Sequence, residues 1–237
     1  MSSNGVRPTK RNQMMTTENG IEIFLTLDEL VHPHRTAVLV YDMQVGIVPQ
    51  IPDGPAILSK VQSLLKATRN AGIRTIFTRH MSLPPEMMGA FQYRMAMAWQ
   101  RKENPAEISS PFLRDSPAFQ LVPELGPLPS EVIFDKLSMS AFEGTPLQFT
   151  LRDCGIRSLI VVGIAIEIGI EPTCRHAADL GIIPILIRDA CGAGNSQAAE
   201  QCVSSLVHMG DTIVTDLKTI SEHLAALDRV GNHALTR

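Results

Sequence analysis

A chain of 237 residues with 44% hydrophobic content can bury one large core, and nothing in its composition asks for a second domain. A formal net charge of -3, with Lys and Arg scattered rather than blocked, removes the electrostatic case for nucleic acid and leaves a small-molecule partner as the expectation. The longest apolar run is interrupted by Glu167 and falls short of the roughly 18 residues that a membrane span needs, so no membrane partner is expected.

In chain order, Lys10 and Arg11 have no apolar run behind them, so residues 1–30 are expected to form an N-terminal arm rather than a targeting segment, ahead of one domain over 31–230. Six apolar runs then predict strands at Thr36–Tyr41, Arg74–Thr78, Glu131–Phe134, Ser158–Ile166, Ile182–Ile187 and Thr212–Thr215. Helical patterns fall between them, at about Gly54–Ala71, Pro146–Asp153, Ile170–Leu180, Ser196–Met209 and Leu217–Leu227. Thr145 followed by Pro146 suits a helix start, and Gly72 and Gly181 suit helix ends. Residues 81–129 break the alternation: rich in proline and methionine and holding Trp99, they predict an insertion over the sheet, either a lid or subunit contact or a plain surface connection. The cysteines Cys154, Cys174, Cys191 and Cys202 lie in apolar or helical segments without a CxxC pair, as reduced thiols do, and a cytoplasmic protein is expected.

Strands alternating with helices predict an α/β fold: a doubly wound, mostly parallel six-stranded sheet with helices on both faces, a Rossmann-type three-layer sandwich. In such sheets ligands gather beyond the carboxyl ends of the strands. The first strand runs into Asp42-Met43-Gln44, the third into Asp135-Lys136, and the fourth into Glu167-Ile168-Gly169. Neighbouring strands would bring Asp42, Lys136 and the turn at Gly169 to one pocket.

The stretches Val40-Tyr-Asp42-Met-Gln44, Asp135-Lys136-Leu-Ser-Met-Ser-Ala-Phe142, Val162-Gly163-Ile-Ala165, Thr173-Cys-Arg-His-Ala177 and Asp189-Ala-Cys191 resemble the isochorismatase-like hydrolase superfamily, also called cysteine hydrolases, over roughly residues 35–215. The resemblance implies that Asp42 and Lys136 match the family's catalytic aspartate and lysine. It also implies that Ala165 follows a non-proline cis peptide and that the backbone at Ala165 and Gly169 offers an oxyanion hole. The family's cysteine falls on Gly169. Cys174, five residues on, would face ~140° away on a helix and is a poor substitute, while Cys191 is expected to pack as a small hydrophobe.

Without a thiol, and with no serine in its place, a covalent acyl-enzyme lacks a nucleophile. The family's true isochorismatases, which hydrolyse a vinyl ether, also have glycine here and are thought to use the aspartate as acid. The resemblance therefore implies water-mediated hydrolysis with Asp42 as acid or base and Lys136 fixing its charge. Two other readings stand beside it: a C–N amidohydrolase acting on amide, ureido or carbamoyl groups, its nucleophile lost or engineered to Gly169, and a non-catalytic protein that keeps the pocket. Gln44, His80, Phe142 and Glu167 are candidate substrate contacts. Glu167 could instead cap a helix, and Phe142 could pack in the core. If Glu167 faces substrate, it argues against an anionic dicarboxylate. Thr78-Arg79-His80-Met81 offers one histidine where nicotinamidases gather several, so neither metal nor other cofactor is expected. Family members are commonly dimers or tetramers, which implies a homodimer or homotetramer.

Overall fold

The computed structural model describes residues 16–234. It opens with β1 (Thr16–Glu18) and β2 (Ile21–Ile23), an exposed antiparallel hairpin. Its turn residues Asn19 and Gly20 have φ of 51° and 78°, the paired positive values that a tight two-residue hairpin turn demands. The described end of the arm is thus a hairpin on the surface, and residues 1–15 of the expected arm lie outside the described residues. α1 (Leu27–Leu30) follows, closed by a capping box in which Thr26 accepts from the Glu29 N–H and Glu29 reaches back to the Thr26 N–H.

From β3 (Thr36–Tyr41) the chain alternates: α2 (Gly54–Asn70), β4 (Arg74–His80), α3 (Ala90–Gln100), β5 (Val132–Lys136), α4 (Leu147–Asp153), β6 (Ser158–Ile164), α5 (Glu171–Asp179), β7 (Ile183–Gly192), α6 (Ser196–Met209), β8 (Ile213–Thr215) and α7 (Leu217–Ala234). The six strands from β3 to β8 form one sheet in the order β5-β4-β3-β6-β7-β8, every pair parallel. β3 and β6 are buried along their whole length, as apolar strands covered on both faces must be. α2 and α7 pack together over β7, and α5 with α6 covers the sheet elsewhere, completing a doubly wound three-layer α/β fold. Among the described residues no helix is long and apolar enough to cross a membrane.

Winding proceeds from β3 through β4 to β5 in one direction, then from β6 through β7 to β8 in the other. The switch point therefore lies between the carboxyl ends of β3 and β6, where a crevice forms because the crossovers diverge. Here the two strands approach closely: a Cβ on Gly163 would lie 2.1 Å from the Tyr41 carbonyl oxygen, and Gly163 holds φ of 124°, so only glycine fits.

The insertion is half docked and half projecting. Its second part is zipped to the segment after β3 by Val45 N–H to Gln120 O (2.9 Å), Gly46 N–H to Ala118 O (2.9 Å) and Val122 N–H to Met43 O (3.0 Å), with Phe119 and Leu125 buried. Its first part carries α3, which buries none of its residues. Single 3-10 turns at Pro85–Met87, Pro105–Glu107, Pro117–Phe119 and Pro123–Leu125 each begin on a proline, whose fixed φ suits a first helical position.

Candidate active site

Asp42, immediately past β3, is where the backbone turns away from the sheet; it adopts φ of 47°, a left-handed conformation that Asp tolerates better than most residues. Its side chain is 5% exposed and fully engaged. Oδ1 accepts from the Thr78 hydroxyl at 2.7 Å, and Oδ2 accepts from the Lys136 ammonium at 2.6 Å. β4 supplies Thr78 and β5 supplies Lys136, so three neighbouring strands build the pair. The ammonium also donates to Ser138 O at 3.2 Å and lies 4.2 Å from the centroid of the Tyr41 ring. Burial pushes Lys136 down from the ordinary lysine value, against the opposing pull of the Asp42 carboxylate.

The corner across the crevice is formed by a π turn, Ile166–Ile170, entered through a cis peptide between Ile164 and Ala165, as the resemblance implied. The Gly169 and Ile170 N–H groups both donate to Ala165 O at 3.1 Å. This corrects one expectation: the Gly169 N–H is engaged within the turn and is not a free oxyanion donor, because it closes an i→i−4 bond onto Ala165 O. The Ala165 N–H donates to no acceptor among the described residues and remains available. Thr173 closes the corner, donating to Gly169 O at 2.6 Å and accepting from the Ala141 N–H at 3.0 Å.

Tyr41 fills the space that Gly169 leaves. A Cβ on Gly169 would lie 1.7 Å from the Tyr41 hydroxyl oxygen and 2.3 Å from Cζ. The phenol is buried and donates to the Met139 carbonyl, and burial, reinforced by the Asp42 charge, raises it well above the ordinary tyrosine value, so it stays protonated. Sequence reasoning missed Tyr41 as a site residue. Its signal was a bulky polar aromatic directly before Asp42, within a strand otherwise made of small and aliphatic side chains.

The expected substrate contacts divide. His80 lies at the site: its ring is flanked edge-on by Trp99 and Phe112, each 5.8 Å away, and it senses both Lys136 and Asp42. Burial, then the Lys136 charge, lowers its pKa to about 4, so the imidazole is neutral near pH 7. Gln44 is fully buried and its amide is used up on backbone, donating to His80 O (2.9 Å) and Phe119 O (2.7 Å) and accepting from the His80 N–H (2.6 Å). It staples the insertion to β4 and has nothing left for a substrate. Phe142 is 5% exposed and packs in the core beside the His176 ring at 5.2 Å, the core role rather than the pocket one. Glu167 is a cap, though of a later helix: its Oε1 accepts from the Gly194 and Asn195 N–H groups at 2.8 and 2.7 Å, just ahead of α6.

Neither buried thiol replaces the absent nucleophile. Burial raises Cys174 to about 12, and Cys191, whose Sγ lies 3.6 Å from Val161 O, is raised further still, so both stay protonated and inert. Among the described residues no three His, Cys, Asp or Glu side chains converge as a metal would require.

A doubly wound sheet with a buried carboxylate–ammonium pair and a backbone corner at its switch point is the arrangement in which open α/β sheets hold small-molecule ligands. The Isochorismatase domain model matches residues 36–217, and the chain belongs to that family. A cysteine hydrolase from Pseudomonas syringae pv. phaseolicola is 26% identical, with TM-score 0.70 over 84% of this chain and 96% of that one. The fold also recurs in the zinc-complexed pyrazinamidase of Pyrococcus horikoshii (21% identity, TM-score 0.65, 77% of this chain and 99% of that one). N-carbamoylsarcosine amidase from Thermoplasma acidophilum shares it too (16%, TM-score 0.63, 77% and 96%). Family and neighbours are hydrolases.

Proposed function

We propose that this chain hydrolyses a small molecule without an enzyme-bound intermediate, Asp42 moving the proton and Lys136 setting where it resides. One observation carries the reading: the Asp42–Lys136 pair is intact at 2.6 Å, whereas the place of a nucleophile beside Gly169 is filled by the Tyr41 ring. Asp42, relaying a proton from the Lys136 ammonium, delivers it to an electron-rich substrate atom, the carbon of an enol ether or a leaving group. Water then attacks the cation so formed, one of its protons returns to the pair, and the hemiketal made from an enol ether collapses with cleavage of its C–O bond to a ketone and an alcohol. Nothing of the enzyme is left modified. The free Ala165 N–H supports placement of the substrate oxygen.

The charges at this end of the sheet point to an uncharged substrate. Lys136 is engaged by Asp42, and Arg79 by Asp135 at 2.8 Å and by the Phe119 face at 4.2 Å from its centroid. Trp99, Phe112 and a neutral His80 add apolar and uncharged surface, which suits an apolar or aromatic ligand better than a dicarboxylate. The test is a panel of uncharged enol ethers, amides and ureides assayed with the wild-type chain and with Asp42→Asn. Turnover should appear on a member of the panel and fall by about 10²–10⁴-fold in Asp42→Asn. Ligand binding without turnover in the wild type would reduce the chain to a binding protein, and turnover indifferent to Asp42 would remove the pair from the chemistry.

A further inference from the structure

We propose that Tyr41 is the residue that sets the reaction type of this site: its phenol occupies the nucleophile's volume, so Gly169 is obligatory and covalent chemistry is closed off while Tyr41 is present. Three contacts carry the inference. A Cβ at position 169 would lie 1.7 Å from the hydroxyl oxygen, 2.3 Å from Cζ and 2.7 Å from Cε1 of Tyr41, far inside any real Cβ contact. The ring cannot swing aside cheaply, because it is 2% exposed within close-packed core and its hydroxyl is tied to the Met139 carbonyl. The same ring lies under the Lys136 ammonium at 4.2 Å, so it also seats the group that governs the Asp42 proton. Tyr41 and Gly169 are thus one steric unit, and a glycine produced merely by removing a cysteine would have left a void instead of a filled site. This weighs against an engineered loss of the thiol. Tyr41 acts here as a specificity-determining and positioning residue.

What the site does rests on the thiol-independent reading above; the steric coupling does not. The experiment is a double-mutant cycle with Tyr41→Val, Gly169→Cys and the two combined, read by melting temperature, iodoacetamide labelling and hydrolysis of an amide and ureide panel. Gly169→Cys alone should lower the melting temperature clearly, and Tyr41→Val should remove most of that loss. In the double variant the introduced thiol should alkylate and form an acyl adduct with amides. The thiol gives its proton to Asp42 as sulfur bonds the carbonyl carbon, the C–N bond breaks, the amine leaves with that proton from Asp42, and water then cleaves the thioester to acid and free thiol. Should the thiol variants not fold, Gly169→Ala with Tyr41→Leu runs the same stability cycle. Additive melting shifts would overturn the steric unit. Coupled shifts with a labelled thiol but no acyl adduct would overturn Tyr41 as the determinant of reaction type. Loss of Asp42 dependence with coupled shifts would instead sink the proposed hydrolysis alone.

Discussion

Glu167 shows how one side chain can look like a ligand contact and act as a cap. It stands in the π turn at the site, yet its Oε1 is turned onto the Gly194 and Asn195 N–H groups, at and just before the N-cap of α6, where Asn195 itself takes the Ala198 N–H. The contact ties the corner after β6 to the corner after β7, so a substitution there loosens two turns that line the crevice. Glu167→Ala should cost about 1 kcal/mol in urea unfolding, because both donors fall back on water. Glu167→Gln keeps the accepting oxygen and should recover most of the loss, less the few tenths of a kcal/mol that a negative charge contributes at a helix start. Equal losses for Ala and Gln would mean that charge, not the hydrogen bonds, is what matters at this position.

At the scale of elements, strand starts were legible to within a residue, whereas the ends of β4, β5, β6 and β7 were not. β3 was predicted to the residue because Thr36–Tyr41 is buried on both faces and bounded by polar residues. β4 and β5 run on through Arg79-His80 and Asp135-Lys136, polar pairs that resemble loop in one dimension; they stay in the ladder because Arg79 registers with Asp135 and pairs with it across the strands, while Lys136, in register with a neutral His80, reaches the Asp42 carboxylate after β3. The β1–β2 hairpin had a local signal in Glu18-Asn19-Gly20-Ile21, passed over because its flanks look like an arm. α3 had none: Ala90–Gln100 is apolar on several sides and sits among prolines, so no single stripe announces a core face, and none of its residues is in fact buried. That absence predicts its dynamics. α2 anchors itself with Ile57, Val61, Leu64 and Leu65, whereas α3 has no such anchors. Amide hydrogen exchange in α3 should be at least about 100-fold faster than in the middle of α2 or β6, since opening α3 exposes little apolar surface. Protection in α3 equal to that of α2 in the isolated chain would mean that something covers it.

At the scale of the whole molecule, the winding order brings residues far apart in sequence to one end of the sheet, and the approach of the carboxylate to the ammonium was legible because each sits at or just past the end of a strand. The complement between Tyr41 and Gly169 was not assignable, since it depends on ring volume across the β3–β6 crevice rather than on any spacing along the chain. The same enclosure gives the fold a pH limit. His80 faces Lys136 and Asp42, with Trp99 from α3 and Phe112 from the insertion against its ring, and holds its proton only below about 4, against 6.5 for an unburied imidazole. Falling pH therefore protonates the unfolded chain before the folded one. Stability is unaffected by His80 above pH 6.5 and is lost as pH drops from there toward 4. Between pH 6.5 and 5, above the range where carboxylates titrate, the loss should reach about 2 kcal/mol, at ~1.4 kcal/mol per pH unit. His80→Asn removes that titration, so its unfolding free energy should be flatter over the same window. His32, whose pKa is also lowered, is present in both chains and drops out of the comparison. Curves that fall in parallel would show that the imidazole is open to water in solution, and with it the mouth of the crevice between α3 and the sheet.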